Sequence, residues 1–100
     1  MILYHRTTSY SALSILRAGF RDGAGRYLTD MDHMGVWVSD RPLNDDAGGD
    51  ALLKITFHGT EQDLTGYEWI QEGKIYREWL VPAQLLNEQA GVEIIQIAST

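Results

Sequence analysis

The hydrophobic positions near the N-terminus of this chain recur at steps of three and four residues, which is the period of an amphipathic helix. These positions are Ala12, Leu13, Ile15, Leu16 and Phe20. Thr7, Thr8 and Ser9 precede them and carry side-chain hydroxyls suited to capping a helix N-terminus. Gly19 stands where a C-terminal cap is expected. We therefore predict one amphipathic helix of about two to three turns that ends near Gly19.

The rest of the chain contains short segments rich in β-branched and aromatic residues, which is typical of strands. Predicted strands cover residues 2–5, 26–29, 35–40, 51–57, 75–81 and 92–97, and 44–50 has turn composition. The polar and aromatic segment 61–73 is predicted to be a loop with one helical turn. Pro82 is placed to begin a short helix that ends at Gly91.

One early helix followed by many short strands predicts an α+β fold rather than a series of parallel crossovers. The length of 100 residues corresponds to one domain, and no internal repeat or linker divides it. We therefore treat residues 1–100 as a single domain. Hydrophobic residues make up 44% and charged residues 22% of the chain, which is ordinary globular usage and argues against disorder.

Composition excludes several classes of protein. The chain contains no cysteine, so it has neither a disulfide framework nor a thiolate metal site. No apolar run approaches the roughly 20 residues of a membrane-spanning helix, so no membrane partner is expected. The segment Met1–Arg6 lacks the basic leader and long apolar region of a signal peptide. These features predict a cytoplasmic location.

The formal net charge of −6 bears on the choice of partner, because nucleic-acid affinity comes largely from Lys and Arg that neutralise phosphates. General binding to duplex nucleic acid is therefore not expected. A local basic spot could still hold one dinucleotide, and four arginines occur early in the chain: Arg6, Arg17, Arg21 and Arg26. His33 and His58 have no metal-ligand spacing, so no metal is predicted.

Four stretches of the chain carry a recognisable set of motifs in a fixed order. They are Tyr4–Thr7, Ser11–Phe20, Gly35–Asp40 and Tyr76–Val81. Together they resemble the diphtheria-toxin-like branch of the ADP-ribosyltransferases, which includes the poly(ADP-ribose) polymerases. That branch has a His-Gly-Ser/Thr strand and then a helix ending near Gly-Leu or Gly-Phe. A Gly-Ile-Tyr-Phe-Ala/Ser-Asp strand follows, and last comes a Glu before an aromatic and two aliphatic residues.

The resemblance implies a split β-sheet that holds NAD in an extended groove, with one N-terminal helix, short connecting helices and no metal. It makes Glu78 the candidate catalytic residue, bound to the 2′-hydroxyl of the nicotinamide ribose. The candidate NAD-binding residues are His5, Arg6, Thr7, Trp37 and Ser39. Within this set, His5 would donate a hydrogen bond to the adenosine ribose and Trp37 would stack on the nicotinamide ring.

These residue types suit the chemistry of ADP-ribosyl transfer. Breaking the glycosidic bond of NAD builds positive charge on the ribose, and a carboxylate beside that ribose stabilises charge that exists only in the transition state. An aromatic face attracts the cationic nicotinamide ring by stacking and cation–π interaction. The function implied is NAD-dependent ADP-ribosyl transfer or NAD glycohydrolysis with loss of nicotinamide. The acceptor is left open among a protein, a nucleic acid, a small molecule and water.

The motifs depart from the family at two positions, since Arg6 stands where the family has Gly and Trp37 where it has Tyr. These departures keep a second interpretation open, a non-catalytic module of the same fold that binds a nucleotide or a protein. Removal of an RNA 2′-phosphate and a small acidic interaction protein are further alternatives. The alternation of side chains along residues 75–81 also allows two orientations of Glu78. Glu78 is ordinary surface if Arg77, Trp79 and Val81 face inward.

Overall fold

The computed structural model describes residues 1–26, 32–44 and 49–97. In these ranges the elements, in chain order, are β1 (Ile2–Thr7), α1 (Ser9–Ala18), β2 (Gly23–Arg26), β3 (Asp32–Ser39), β4 (Ala51–Phe57), α2 (Glu61–Leu64), a 3₁₀ turn (Thr65–Tyr67), β5 (Glu78–Val81), α3 (Ala83–Gln89) and β6 (Ala90–Ile97). The predicted α+β class is confirmed, with one helix near the N-terminus and shorter helices between later strands.

The described strands pair antiparallel in the order β2-β3-β1-β4-β6, and β5 pairs with β3. β1 is fully paired to β4, from Ile2↔Thr56 to Thr7↔Ala51. Its register with β3, by contrast, consists of the single pair Tyr4↔Ser39. The two strands therefore part after this pair, and the separation of β1 from β3 is what makes room for a site.

One face of the sheet carries the core. Alternate residues of the central strands are buried together with side chains of α1 and α3, and they include Leu3, Val36, Val38, Trp79, Val81, Ala12 and Leu86. Because successive side chains of a strand point to opposite faces, Trp37, Ser39 and Glu78 lie on the other face. On β3 and β5 the fold thus buries Val36, Val38, Trp79 and Val81 and presents the alternate residues to the opposite side, whereas His5 of β1 is on the core side with Leu3.

Both ends of α1 are capped as predicted. The hydroxyl of Thr8 accepts a hydrogen bond from Ser11 N (3.1 Å), and Gly19 ends the helix at a φ of +88° that favours glycine. The Asp50 carboxylate adds a contact, because Ser9 donates to it from both its backbone N and its Oγ at 2.8 Å. These hydrogen bonds lower the pKa of Asp50 below its ordinary value.

The chain after α1 is fastened to α3. Asn87 accepts from Phe20 N (2.7 Å) through Oδ1 and donates to Phe20 O (2.9 Å) through Nδ2. Asp22 accepts from Ala83 N (2.8 Å) at the start of α3. These bonds hold the ring of Phe20 edge-on against the imidazole of His5, with ring centroids 6.0 Å apart.

Several predicted boundaries are wrong, and β2 and β3 each begin three residues before the strands predicted from 26 and 35. The strand predicted from Ile75 begins only at Glu78, since the side chain of Ile75 is 81% exposed and the segment before Glu78 forms a bend. The last helix is capped at Ala90, and Gly91 belongs to β6, where it pairs with Thr56. Residues 27–29 of one predicted strand and 45–48 of one predicted turn lie outside the described residues.

Candidate functional site

A cleft of about 340 Å³ is lined by residues of β1, β3 and β5, and we call it the carboxylate cavity. Its walls are Tyr4, His5, Arg6, Trp37, Val38, Ser39, Leu43, Trp69, Gln71 and Glu78. Five of the six residues that the sequence nominated are in this set, and the sixth, Thr7, lines a neighbouring cavity. The structure therefore brings the nominated residues together, and their roles in binding NAD remain predictions.

Strand register explains why residues so distant in sequence meet here. Ser39 of β3 is directly opposite Tyr4 of β1 and Glu78 of β5. Directly opposed residues in an antiparallel pair share a face, so these three side chains form a row across the sheet. Trp37 is two positions from Ser39 and extends the same face along β3.

A second cleft of about 420 Å³ lies between α1 and the strands β1 and β3, and we call it the helix cavity. It presents hydroxyl groups and one guanidinium, from Thr7, Tyr10, Ser11, Ser14 and Arg21. None of its described lining residues is acidic. His5 and Trp37 line both cavities, so the two spaces adjoin where β1 and β3 separate.

His5 bridges the gap between the two strands. Its Nδ1 lies 2.6 Å from the carbonyl oxygen of Trp37, and a carbonyl can only accept, so Nδ1 carries the proton. Burial lowers the pKa of His5, and this effect outweighs the hydrogen bond to Trp37, which raises it. His5 is therefore neutral at pH 7, and its Nε2 presents a lone pair that accepts a hydrogen bond.

The lowered pKa of His5 predicts a loss of stability in mild acid. The unfolded chain takes up the proton near pH 6.5, before the folded chain does. Stability is thus fully present above pH 6.5 and declines as the pH falls through the folded-state pKa, by at most about 1.4 kcal/mol per pH unit. Urea unfolding of wild type and His5→Gln measures how the free energy of unfolding changes with pH. The range from pH 7.5 to about 5 keeps most carboxylates ionised. Equal slopes in the two proteins would contradict the assignment.

Glu78 does not stand alone in its cavity. Lys74 Nζ donates to Glu78 Oε1, and the two side chains are only 17% and 16% exposed. Trp79 and Val81 face the core, so Glu78 is on the other face, yet its carboxylate is not ordinary surface. The ion pair with Lys74 compensates the low exposure of this carboxylate to water.

Trp37 and Trp69 form an aromatic corner of the carboxylate cavity. Their ring centroids are 5.5 Å apart and the planes meet at 82°, an edge-to-face contact. The geometry is a favourable one for two aromatic quadrupoles. It gives the cavity an electron-rich surface beside the carboxylate of Glu78.

Arg6 and Ser39 are engaged by the backbone that follows β3. The Arg6 guanidinium donates to the carbonyl of Leu43 from Nε (3.0 Å) and Nη2 (2.7 Å) and to Gln96 Oε1 (3.1 Å). Ser39 is buried, and its Oγ donates to the carbonyl of Arg41 (2.7 Å). Both side chains hold the wall of the cavity in the structure, and contact with NAD would require Arg6 to exchange these carbonyl bonds for phosphate oxygens.

The segment that carries Trp69 and Lys74 is anchored at both ends. The backbone N of Trp69 donates to Glu78 O (2.9 Å). Arg77 forms a two-bond pair with the Glu68 carboxylate (3.0 and 2.8 Å) and a further ion pair with Glu61. This pairing lowers the pKa of Glu68. The loop is therefore tied to β5 close to the carboxylate it faces.

Some residues of the site were not nominated from sequence. Lys74 is the main one. The strand predicted over 75–81 gives no reason to expect a contact between Lys74 and Glu78, which are four residues apart. In an extended strand such residues are about 13 Å apart, whereas the bend before Glu78 brings Lys74 onto it. The hydroxyls of Tyr10 and Ser14 were also missed, since helix periodicity identifies the buried stripe and not the residues along its margin.

The described residues contain no cluster of three or more His, Cys, Asp or Glu side chains able to hold a metal ion. No helix in the described ranges is both long and apolar enough to cross a membrane. Comparisons with protein-family models, with curated proteins and with solved structures found no match.

Proposed function

We propose that this chain cleaves NAD and transfers its ADP-ribose group, with loss of nicotinamide, on an ADP-ribosyltransferase-like split sheet. The observation that carries the proposal is that His5, Trp37 and Glu78, from three different strands, line one cavity. The motif resemblance named these three residues for binding and cleaving one molecule. That they adjoin in space supports a shared site.

The chemistry of the two cavities supports an orientation for the dinucleotide. The carboxylate cavity offers an aromatic corner and a carboxylate, which attract the cationic nicotinamide ring and the developing charge on its ribose. The helix cavity offers hydroxyls and Arg21, which suit ribose and phosphate oxygens. We place the nicotinamide ribose beside Glu78 and the adenosine half beside α1, with the gap between β1 and β3 connecting them.

The tautomer of His5 changes its proposed role. The resemblance implies a histidine that donates to the adenosine ribose, but Nδ1–H of His5 already donates to Trp37 O. A neutral ring then has only the Nε2 lone pair to offer. We therefore propose that His5 accepts a hydrogen bond from a ribose hydroxyl, which preserves the contact and reverses its direction.

A non-catalytic binding module is the second candidate, and the ion pair of Glu78 favours it. Lys74 neutralises part of the negative charge that would stabilise an oxocarbenium-like ribose. A carboxylate with a fixed counter-ion is suited to holding a neutral or weakly charged ligand. Release of nicotinamide from NAD distinguishes the two candidates, because a binding module holds the nucleotide without consuming it.

Binding of NAD next to Trp37 predicts a change in tryptophan fluorescence. A nicotinamide ring stacked on this indole should quench its emission, and Trp37→Phe should lose that part of the quenching. Trp37→Ala should weaken NAD binding about two- to thirtyfold, the equivalent of a cation–π contribution of about 0.5–2 kcal/mol. Calorimetric titration with NAD measures the affinity, and Trp69→Phe serves as the matched control for the neighbouring ring. No heat of binding at millimolar NAD would remove the proposed site.

A further inference from the structure

The helix cavity differs from the carboxylate cavity in the charge of its lining. Its described lining contains the guanidinium of Arg21 and no carboxylate, and it is the larger cleft, at about 420 Å³ against about 340 Å³. We propose that this cavity takes an adenosine ribose that carries a 2′-phosphate, so that the chain binds NADP more tightly than NAD. This inference rests on the proposed function, which places the adenosine half beside α1, and it narrows the class of substrate.

The polar side chains of the helix cavity are available to a ligand. Among the described residues, no hydrogen bond or ion pair engages the guanidinium of Arg21 or the side-chain hydroxyls of Tyr10, Ser11 and Ser14. A guanidinium has five N–H donors and no acceptor, and its fork matches two oxygens of a phosphate at once. The hydroxyls can donate to the remaining oxygens. The cavity therefore collects donors, which is what a phosphate requires.

Two carboxylates near the ends of α1 are engaged by other groups. Asp22 follows Arg21 in the chain, but its Oδ1 accepts from Ala83 N (2.8 Å) at the start of α3. Asp50 accepts two hydrogen bonds from Ser9, and neither carboxylate lines the cavity. In Rossmann-type dinucleotide sites a carboxylate binds the free 2′-hydroxyl of NAD, whereas an arginine accommodates the 2′-phosphate of NADP. By the same chemistry, the described lining of the helix cavity suits the phosphorylated ribose.

His5 relates the adenosine ribose to Arg21. The ring of Phe20 lies edge-on to the imidazole of His5, with centroids 6.0 Å apart, and Arg21 is the next residue. The proposed contact of His5 Nε2 uses one hydroxyl of the adenosine ribose and leaves the adjacent ribose oxygen for another group. A phosphate on that oxygen lies in the same cavity as Arg21, whose long side chain can reach it.

The first measurement is calorimetric titration of the whole chain with NAD and with NADP at low salt. We expect NADP to bind more tightly by on the order of tenfold, the equivalent of about 1.4 kcal/mol. Adenosine 2′,5′-bisphosphate should bind more tightly than adenosine 5′-monophosphate by a similar factor, because the preference belongs to the adenosine half. Raising the salt concentration should reduce both factors, since Arg21 is exposed and its charge is screened.

Two neighbouring arginines provide a variant and its matched control. Arg21→Gln should bring the affinity for NADP down to that for NAD and leave the affinity for NAD little changed. Arg21→Glu should reverse the preference, because a carboxylate repels the 2′-phosphate and accepts from the free hydroxyl. Arg17→Gln removes the same charge four residues earlier, at an exposed position that lines neither cavity, and should retain the preference for NADP. Thermal melts verify that all three variants fold.

Three results overturn this inference. They are equal or weaker binding of NADP relative to NAD, an equal loss of affinity for both dinucleotides in Arg21→Gln, and the same loss of preference in Arg17→Gln. The second result would assign Arg21 to the pyrophosphate, and the third would reduce the preference to general attraction of anions. Nicotinamide release is measured on the same samples. Release from NAD without a preference for NADP leaves the proposed function standing, whereas tighter binding of NADP without release from either dinucleotide supports this inference and the non-catalytic binding module. Failure to bind either dinucleotide overturns both proposals.

Discussion

Substitution of Glu78 by Gln is expected to lower the rate of nicotinamide release on the order of a hundredfold or more. Gln keeps the shape of the side chain and part of its hydrogen bonding, but it removes the negative charge. Because NAD in its ground state lacks the oxocarbenium charge on ribose, the loss falls mainly on turnover and much less on NAD affinity. Steady-state nicotinamide release and calorimetric affinity, measured on the same preparation, separate the two quantities.

The control for this variant comes from the partner of Glu78. Glu78→Gln also leaves the ammonium of Lys74 without its counter-charge in a mostly buried position, which costs folding free energy. Lys74→Met breaks the same ion pair while it retains the carboxylate. Thermal melts of both variants therefore measure how much folding free energy the broken pair costs. Only the fall in nicotinamide release by Glu78→Gln that exceeds its fall in folded fraction is assigned to catalysis.

The result that contradicts the assignment is equal nicotinamide release from wild type and Glu78→Gln at equal folded fractions. In that case the carboxylate acts only as a counter-ion for Lys74. A wild type that binds NAD and releases no nicotinamide, with any acceptor tried, would instead support the non-catalytic binding module.

Much of the fold was predictable because local chemistry decides it. The capping hydroxyl of Thr8, the positive φ of Gly19 and the apolar period between them mark a helix whatever surrounds it. The strand Ala51–Phe57 was predicted to the residue, since its β-branched and aliphatic side chains are bounded by turn residues on both sides. In these segments, local preference and tertiary packing favour the same structure.

The errors occur where a distant partner decides the conformation. Alternation of Ile75 to Val81 is that of a strand, yet the backbone before Glu78 bends, with Arg77 paired to Glu61 and Glu68 and bonded to Asp40. Periodicity contains no information about those partners. The same limitation explains why the sequence identified Glu78 but not Lys74 as its counter-ion.

The candidate site was assembled from sequence by motif order, and only the structure shows how its residues adjoin. No spacing rule states that β1 and β3 share the single pair Tyr4↔Ser39 and then separate. β1 pairs along its whole length with β4, and the imidazole of His5 bonds Trp37 O across the gap to β3. Register between strands far apart in sequence is a property of the assembled sheet.

The largest expected effect on stability concerns Trp79, the residue next to Glu78. Its side chain is 1% exposed and is among the largest in the core. Trp79→Ala should lower the free energy of unfolding by about 3–5 kcal/mol, because it removes buried apolar surface and leaves a cavity. For a domain of this size that corresponds to a fall in Tm of at least about 12 °C.

Trp79→Phe separates the packing of this residue from its polar group. The indole Nε1 of Trp79 is buried and has no hydrogen-bond partner in the described part of the chain. Phe removes this unsatisfied donor, and that gain offsets part of the free energy lost with the smaller side chain. Phe also retains a ring beneath the Arg77 guanidinium, which in the wild type lies 5.0 Å from the centroid of the Trp79 ring. We therefore expect Trp79→Phe to be much more stable than Trp79→Ala.

The Trp79 pair of variants also tests whether the core positions the site. Trp79 holds β5 against the sheet on the face opposite Glu78, so Trp79→Phe should keep both the strand and the affinity for NAD. Urea unfolding followed by circular dichroism gives the stability of each variant, and calorimetry gives the affinity. Melting of Trp79→Ala within about 2 °C of wild type, less than the shift expected for 1 kcal/mol, would show that β5 is held by its pairing with β3 and not by this indole. The carboxylate of Glu78 would then be positioned by strand register and by Lys74 alone.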